Sequence, residues 1–408
     1  MLSLPNTFSS LRNSTYRLYF SAQMCQVVSY NMRTIVRSLL IYRLTGSIAL
    51  LGLMSLVHAL PGILFPLFGG VIADRLPKKY VLILGHVGSL TTTLVVAISL
   101  TMGFLSADRP GSWWILIGSS FINAIVSSLT MPSRQAIISE LVEPEELMNA
   151  ISLINVGRSV LRLSSPAIAG ILIDILGFEP VYYLTCGITA ISLIITSFLP
   201  ITGTFERKSQ SIISQIKAGL RYVRGETTLI FILIFTLVMA MLSAPYMRLM
   251  PIFADDILKV GATGMGILIS ASAAGALVGS LFLASLPNKK RGVILISSAV
   301  LLGIALAVFA FSHNWYISLA SIVFVGLGHT MRMTLSNTLI QNYSATNYRG
   351  RVMSLYSMEE GLTSLGVFGA AMLAEVVGVS ITVGSLALVL VVIALLALIF
   401  LPRLRKLE

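Results

Sequence analysis

The stretch GGVIADRLPKKY, Gly69 to Tyr80, decides the fold of this 408-residue chain. It begins with a glycine pair and then places Asp74, Arg75, Lys78 and Lys79 close together, with long apolar segments on both sides. Lys and Arg are enriched in the short cytoplasmic loops that join membrane-spanning helices. The stretch therefore predicts a tight cytoplasmic turn between two such helices.

The composition independently indicates a membrane protein. The mean hydropathy is +0.91, and only 11% of the residues are charged, against about 25% in soluble domains. A helix of about 20 apolar residues spans the hydrocarbon core of a bilayer, and residues 293–311 and 381–401 contain no charge. The predicted fold class is an all-α integral membrane protein.

Twelve transmembrane helices are predicted from apolar runs of this length. They cover residues 16–42, 47–72, 80–104, 113–136, 149–176, 180–200, 227–254, 262–286, 292–312, 315–341, 351–377 and 380–401. The N-terminal sequence lacks a short apolar core followed by a small-residue cleavage site, so we expect no removable signal peptide.

The basic residues give these helices an orientation. With both termini in the cytoplasm, the outer loops hold only Arg43, Arg109 and Lys259, which agrees with the positive-inside rule. Anionic lipid of the inner leaflet accounts for the net charge of +12, so no nucleic-acid partner is required. We expect a multi-pass protein of the prokaryotic plasma membrane that contacts membrane lipids.

The chain is organised as two halves. A six-helix bundle at 1–200 and another at 227–408 are joined by a cytoplasmic linker at 201–226, whose sequence SIISQIKAGLRYVRG predicts an amphipathic helix. That helix lies on the inner membrane surface or is a solvated connection. A repeat supports the two halves, because a 19-residue segment starting at Gln135 has a counterpart starting at Asn337, 202 residues later, and both end in Ser-Leu.

The loop motif resembles the signature of the major facilitator superfamily of transporters, G-x-x-x-D-[RK]-x-G-[RK]-[RK]. Gly70, Asp74, Arg75, Lys78 and Lys79 match this pattern, and Pro77 replaces its second glycine. The resemblance implies two six-helix bundles with the substrate site between them at mid-depth.

Further segments resemble the branch of this superfamily that includes enterobactin-exporter-like and macrolide-efflux-like proteins. They are LRNSTYRLYF, YRLTGSIALLGL, PSRQAIISELV, LMNAISL, PIFADDIL and RGRVMSLYSM. The branch implies export from the cytoplasm driven by proton exchange. Gly157, Pro166 and Gly170 on predicted helix 5 match the proline-glycine motif of superfamily antiporters, although Ser165 replaces its glycine.

The first turn also suggests a gate. Gly70 and its neighbour allow close helix packing, and Asp74 is stabilised if it meets the positive end of a helix dipole. By resemblance, that end belongs to predicted helix 11, which begins near Arg351. The alternative is that Arg75 and Lys78 only fix the topology.

Arginines inside the predicted helices are the best indication of cargo, because a charge at this depth requires a partner or a wet cavity. The candidate substrate ligands are Arg33, Arg332, Asn123, Arg162 and Arg248, with His329 as a companion. Arginine offers a planar fork of donors to carboxylate, phosphate or catecholate oxygens. The alternatives are that Arg248, like Arg37, extends to the interface and that Arg162 bonds to backbone carbonyls.

Glu359 and Glu360 on predicted helix 11 are candidates for proton coupling, since a carboxylate near arginine changes its proton occupancy when substrate arrives. Adjacent helical residues point about 100° apart, so at most one faces a cavity. The sequence does not decide which.

The leading interpretation is a proton-coupled exporter of small amphipathic or anionic molecules that works by alternating access. An importer or lipid flippase on the same scaffold is the alternative. A membrane enzyme is disfavoured, and no metal-ligand spacing, nucleotide-binding loop or disulfide framework is found in the sequence. We expect no cofactor, a small-molecule substrate, protons as the coupling ion, and a monomer.

Overall fold

The computed structural model describes residues 8–201, 212–287, 289–405 and 407, without the side chains of 66, 67, 70, 71, 73, 74 and 212–218. All long elements in this part of the chain are helices. They are α1 Ser14–Thr45, α2 Ile48–Arg75, α3 Lys78–Thr101, α4 Trp114–Leu141, α5 Leu147–Leu176, α6 Phe178–Ser197, α7 Thr227–Arg248, α8 Gly261–Ser285, α9 Arg291–Phe311, α10 Trp315–Tyr343, α11 Arg349–Val377 and α12 Val379–Phe400. The linker helix is Ile212–Gly225.

The all-α membrane fold is confirmed, and each predicted helix occurs. Among the described residues, eleven helices are long and apolar enough to cross a membrane. Helix α1 is outside that set because it is more polar, although its 32 residues exceed the necessary length. Asn13 caps its N-terminus by accepting hydrogen bonds from two backbone N–H groups, and Gly46 ends it at a φ of 63°.

Three helices contain interruptions that the sequence analysis missed. Helix α4 turns at Ile137 and α11 turns at Met358. The helix predicted over 227–254 is divided near Pro245 and Pro251, because proline has no N–H for the helical hydrogen bond. A π-helical turn, Phe253–Ile257, follows.

Contacts divide the chain into two compact units. Unit 1 comprises Met1–Gly46 and Leu60–Ser209, and unit 2 comprises Ser47–Ala59 and Gln210–Glu408. The first turns of α2 therefore belong to unit 2 and the rest of α2 to unit 1. The predicted domain boundaries, at 1–200, 201–226 and 227–408, stay a prediction.

The two halves share local features that agree with the sequence repeat. Gly177 joins α5 to α6 at a φ of 84°, and Gly378 joins α11 to α12 at a φ of 89°. These one-residue turns need glycine because other residues rarely adopt positive φ. The segment before α1 also packs on the start of α5, where Ser10 Oγ donates to Asn149 Oδ1 at 2.7 Å.

The linker helix has the matching position in unit 2. The ring of Tyr222 stacks on Tyr348 at 4.4 Å, and the Tyr222 hydroxyl accepts a hydrogen bond from Ala345 N at 3.0 Å. Gly219 lies against Arg351, so closely that a Cβ there would be 3.1 Å from the Arg351 Cβ. The linker helix is therefore packed against the start of α11.

Candidate functional site

Arg33 lies in the interior of unit 1, with 5% of its surface exposed. It projects from α1 towards α3 and α4. Its guanidinium donates to Thr93 Oγ1 at 2.8 Å, to the Ser89 carbonyl at 3.4 Å and to Asn123 Oδ1 at 3.4 Å. All these acceptors are neutral, so no acid among the described residues offsets the positive charge of Arg33.

Asn123 links this arginine to a second side chain of α3. Its Oδ1 accepts from Arg33, and its Nδ2 donates to Thr92 Oγ1 at 3.0 Å. A small cavity beside these groups is also lined by Arg37 and Tyr182 and has room for about one water molecule. Arg33 and Asn123 are predicted from the sequence, whereas Thr92 and Thr93 are not, although the polar run SLTTT within an apolar helix is a usable signal.

A second polar group joins α1, α3 and α6 in unit 1. His86 Nδ1 is 3.1 Å from Gln26 Oε1, and His86 Nε2 is 3.5 Å from Ser192 Oγ. Ser192 also donates to the Ala22 carbonyl at 2.8 Å. The histidine thus serves to hold three helices together.

Unit 2 contains an ion pair between α10 and α11. Arg332 Nη1 lies 2.6 Å from Glu359 Oε1, and the side chains are 5% and 13% exposed. The same nitrogen donates to the Thr236 carbonyl of α7 at 3.3 Å, and Tyr356 lies close to Glu359. Arg332 Nε is buried and has no hydrogen-bond partner. Unlike Arg33, this arginine is neutralised by a carboxylate.

The structure distinguishes the two neighbouring glutamates. Glu359 faces Arg332, whereas Glu360 is exposed. The other candidate ligands have looser surroundings, since Arg162 is exposed and Arg248 is partly exposed. His329 is partly buried on α10, one helical turn before Arg332.

The predicted gate is described only in part. Gly70 and the carboxylate of Asp74 lie outside the described side chains, and Arg75 is exposed at the end of α2. Lys78 forms an ion pair with Glu140 at the end of α4. Arg351 lies 5.2 Å from the ring centre of Tyr348, beside the linker helix.

The predicted motif on helix 5 packs α5 closely against α1. A Cβ on Gly157 would lie 2.4 Å from Met24 Sδ, so a larger residue there would require the Met24 side chain to move. Pro166 and Gly170 are buried farther along α5. These contacts support a packing role for the motif.

Residues 5–408 match the family of transmembrane secretion effectors. The staphyloferrin A transporter of Staphylococcus aureus is 26% identical, over 81% of this chain and 82% of that protein. Macrolide efflux protein A of Streptococcus pyogenes is 23% identical over 87% and 89%. The enterobactin exporter of Shigella boydii is 25% identical over 96% and 93%.

The fold is also that of solved transporters. The human organic anion transporter MFSD10 aligns with a TM-score of 0.66 over 94% of this chain and 98% of that one, at 14% identity. The chain belongs to the transmembrane secretion effectors of the major facilitator superfamily and is a multi-pass membrane transporter of small molecules, as its loop motif indicates.

Proposed function

We propose that this transporter is a proton-coupled exporter of small amphipathic or anionic molecules, of the drug or siderophore type, that works by alternating access. The observation that carries the proposal is the different partner of the two buried arginines. Arg33 meets neutral oxygens in unit 1, whereas Arg332 meets the carboxylate of Glu359 in unit 2. One arginine is available to an anion, and the other is linked to a group that can take up a proton.

Arg33 is proposed as the cargo ligand. Its charge has been removed from water, and no acid among the described residues lies beside it. A charge in that position gains most from an anionic partner. Thr93 and Asn123 hold the guanidinium in place, which reduces the side-chain ordering that binding requires. Macrolide, enterobactin and staphyloferrin relatives show that this family carries varied molecules, so the proposal names a charge class and no individual cargo.

Glu359 is proposed as the proton carrier. Protonation removes the charge that pairs with Arg332 and loosens the contact between α10 and α11. Exchange requires cargo to move outward while Glu359 is charged, and the protein to return with Glu359 protonated. Cargo oxygens must then bind without displacing Glu359, which favours Arg33 as their ligand over Arg332.

The same ion pair supports a second candidate function. If a cargo anion takes Arg332 from Glu359, the carboxylate loses its cation and gains a proton, so that anion and proton bind together. A proton gradient would then drive the pair inward. Import by co-transport is therefore the alternative to export by exchange.

Transport by purified protein in liposomes under an imposed proton gradient separates the two functions. Anionic, cationic and neutral amphiphiles are compared, with protein-free liposomes as the baseline. If the protein exchanges cargo for protons, the anion moves towards the acidic side. Transport should then lose its dependence on the proton gradient in Glu359→Gln, whereas the control Glu360→Gln behaves as wild type. Movement towards the alkaline side supports co-transport, and failure to move any anion overturns the proposal.

We further propose that the protein is a monomer of the plasma membrane with both termini and the segment 201–226 in the cytoplasm. The support is the basic character of these segments. A membrane-impermeant maleimide should not label Arg12→Cys or Arg405→Cys in intact cells, and it should label both after the membrane is permeabilised. Labelling of either from outside contradicts this orientation.

A further inference from the structure

Two further arginines of unit 1 lie on helices that are fixed to the same part of α1. The hydroxyl of Tyr19 donates to the carbonyl of Arg134, on α4, at 2.6 Å. Five residues farther along α1, Met24 packs against Gly157 of α5, the residue before Arg158. Arg134 and Arg158 are thus brought together beside the first turns of α1, well before Arg33 along that helix.

Arg134 has an unsatisfied donor. Its Nε is buried and has no hydrogen-bond partner, although buried donors normally find an acceptor. Arg158 lies within electrostatic range of both Arg134 and Tyr19, so a like charge increases the cost of burying this guanidinium. Among the described residues, neither arginine forms an ion pair with an acid.

The repeat provides an internal comparison. Helices α4 and α5 of unit 1 correspond to α10 and α11 of unit 2, because the repeated segments at Gln135 and Asn337 connect them. In unit 2 this helix pair neutralises Arg332 with Glu359. In unit 1 the matching pair carries Arg134, Arg158 and the exposed Arg162. Neither Arg134 nor Arg158 has an acid partner among the described residues, so an acceptor from outside the protein fits there.

We propose that Arg134 and Arg158 form a second anion site, which binds carboxylate, phosphate or sulfate oxygens before they reach Arg33. Each guanidinium offers a planar fork of donors, whereas a lysine ammonium is a point charge. Two guanidiniums therefore suit the oxygens of planar or tetrahedral anions. The evidence for an anion site at this pair comes from unit 1 alone. Its role as a loading site for cargo rests on the proposed function of Arg33.

Citrate binding to the full-length protein in phosphatidylcholine nanodiscs tests the site, with calorimetry for affinity and thermal unfolding as the second readout. Arg134→Gln and Arg158→Gln should each weaken citrate binding by about tenfold or more and remove the citrate-dependent rise in melting temperature. Arg134→Lys should retain part of the affinity because it keeps the charge but loses the fork. The control Arg17→Gln removes an exposed arginine of α1 and should bind as wild type.

Added phosphatidylglycerol distinguishes a soluble anion from a lipid headgroup. The competition is compared between wild type, the control Arg17→Gln and Arg158→Gln. If phosphatidylglycerol displaces citrate from the first two but not from Arg158→Gln, a lipid phosphate is a natural occupant of the same site. Undiminished citrate binding by both Gln variants overturns the proposal. Because Arg158 is partly exposed, its variant keeps the test valid if Arg134→Gln fails to fold.

Failure of the loading role can be separated from failure of the proposed function. If Arg33→Gln abolishes transport while Arg134→Gln transports at the wild-type rate at low cargo concentration, the export proposal stands and the loading role is wrong. If Arg134→Gln instead raises the cargo concentration needed for half-maximal transport and leaves the maximal rate unchanged, the loading role is supported.

Discussion

Replacing Glu359 by glutamine tests the central ion pair most directly. The substitution keeps the shape of the side chain and resembles its protonated form, but it leaves the charge of Arg332 without a counter-charge. Removing one partner of a buried pair costs about 3–5 kcal/mol. Since Glu359 is 13% exposed and the Gln amide oxygen can still accept from Nη1, we expect the lower end, about 3 kcal/mol.

The measurement is the free energy of unfolding in mixed micelles by denaturant titration, followed by tryptophan fluorescence. The matched control is Glu360→Gln, whose exposed side chain should change stability by less than about 0.5 kcal/mol. Combining Glu359→Gln with Arg332→Gln should cost less than the sum of the two single changes, with a coupling of about 1–3 kcal/mol. Equal stability of wild type and Glu359→Gln, or additive single effects, would refute the argument.

Three other outcomes are expected. Arg33→Gln should weaken binding of an anionic cargo by about 2–5 kcal/mol, as measured by calorimetry, and Arg33→Lys should have an affinity between those of wild type and Arg33→Gln. Unchanged affinity would make this arginine structural. Asp74→Asn should reduce transport at normal membrane abundance, because it removes the charge of the proposed gate; normal flux would leave the loop as a topology signal. Gly275→Ala should destabilise unit 2 by about 1–3 kcal/mol, since its Cβ would lie 1.8 Å from the Val323 carbonyl. Gly118→Ala, with nothing within 4 Å, is the control, and equal melting temperatures would contradict the close contact.

The helices were predictable because the bilayer imposes a length on them. Apolar runs such as 293–311 must form helices when no water is available for the backbone, and the structure has α9 there. The turns at Ile137 and Met358 were not predictable, since neither position is a glycine or proline. Such turns depend on how the chain packs, and the local sequence carries no signal for them.

The site was predictable by residue type and only partly by arrangement. Depth in an apolar helix was enough to select Arg33 and Arg332, because charge there requires a partner. The burial of Arg134 Nε does not follow from the position of this residue near the end of α4, because it depends on the packing of α4 against α1.

By itself, the sequence determined the membrane fold, the family and the set of intramembrane arginines, because length, hydropathy and a local motif are properties of neighbouring residues. The tertiary structure decided which of these residues meet. It selected Glu359 over Glu360 as the partner of Arg332 and joined Arg33 to Thr93, sixty residues away. Partners on different helices depend on the rotation and contact of those helices, which hydropathy along one chain segment does not specify.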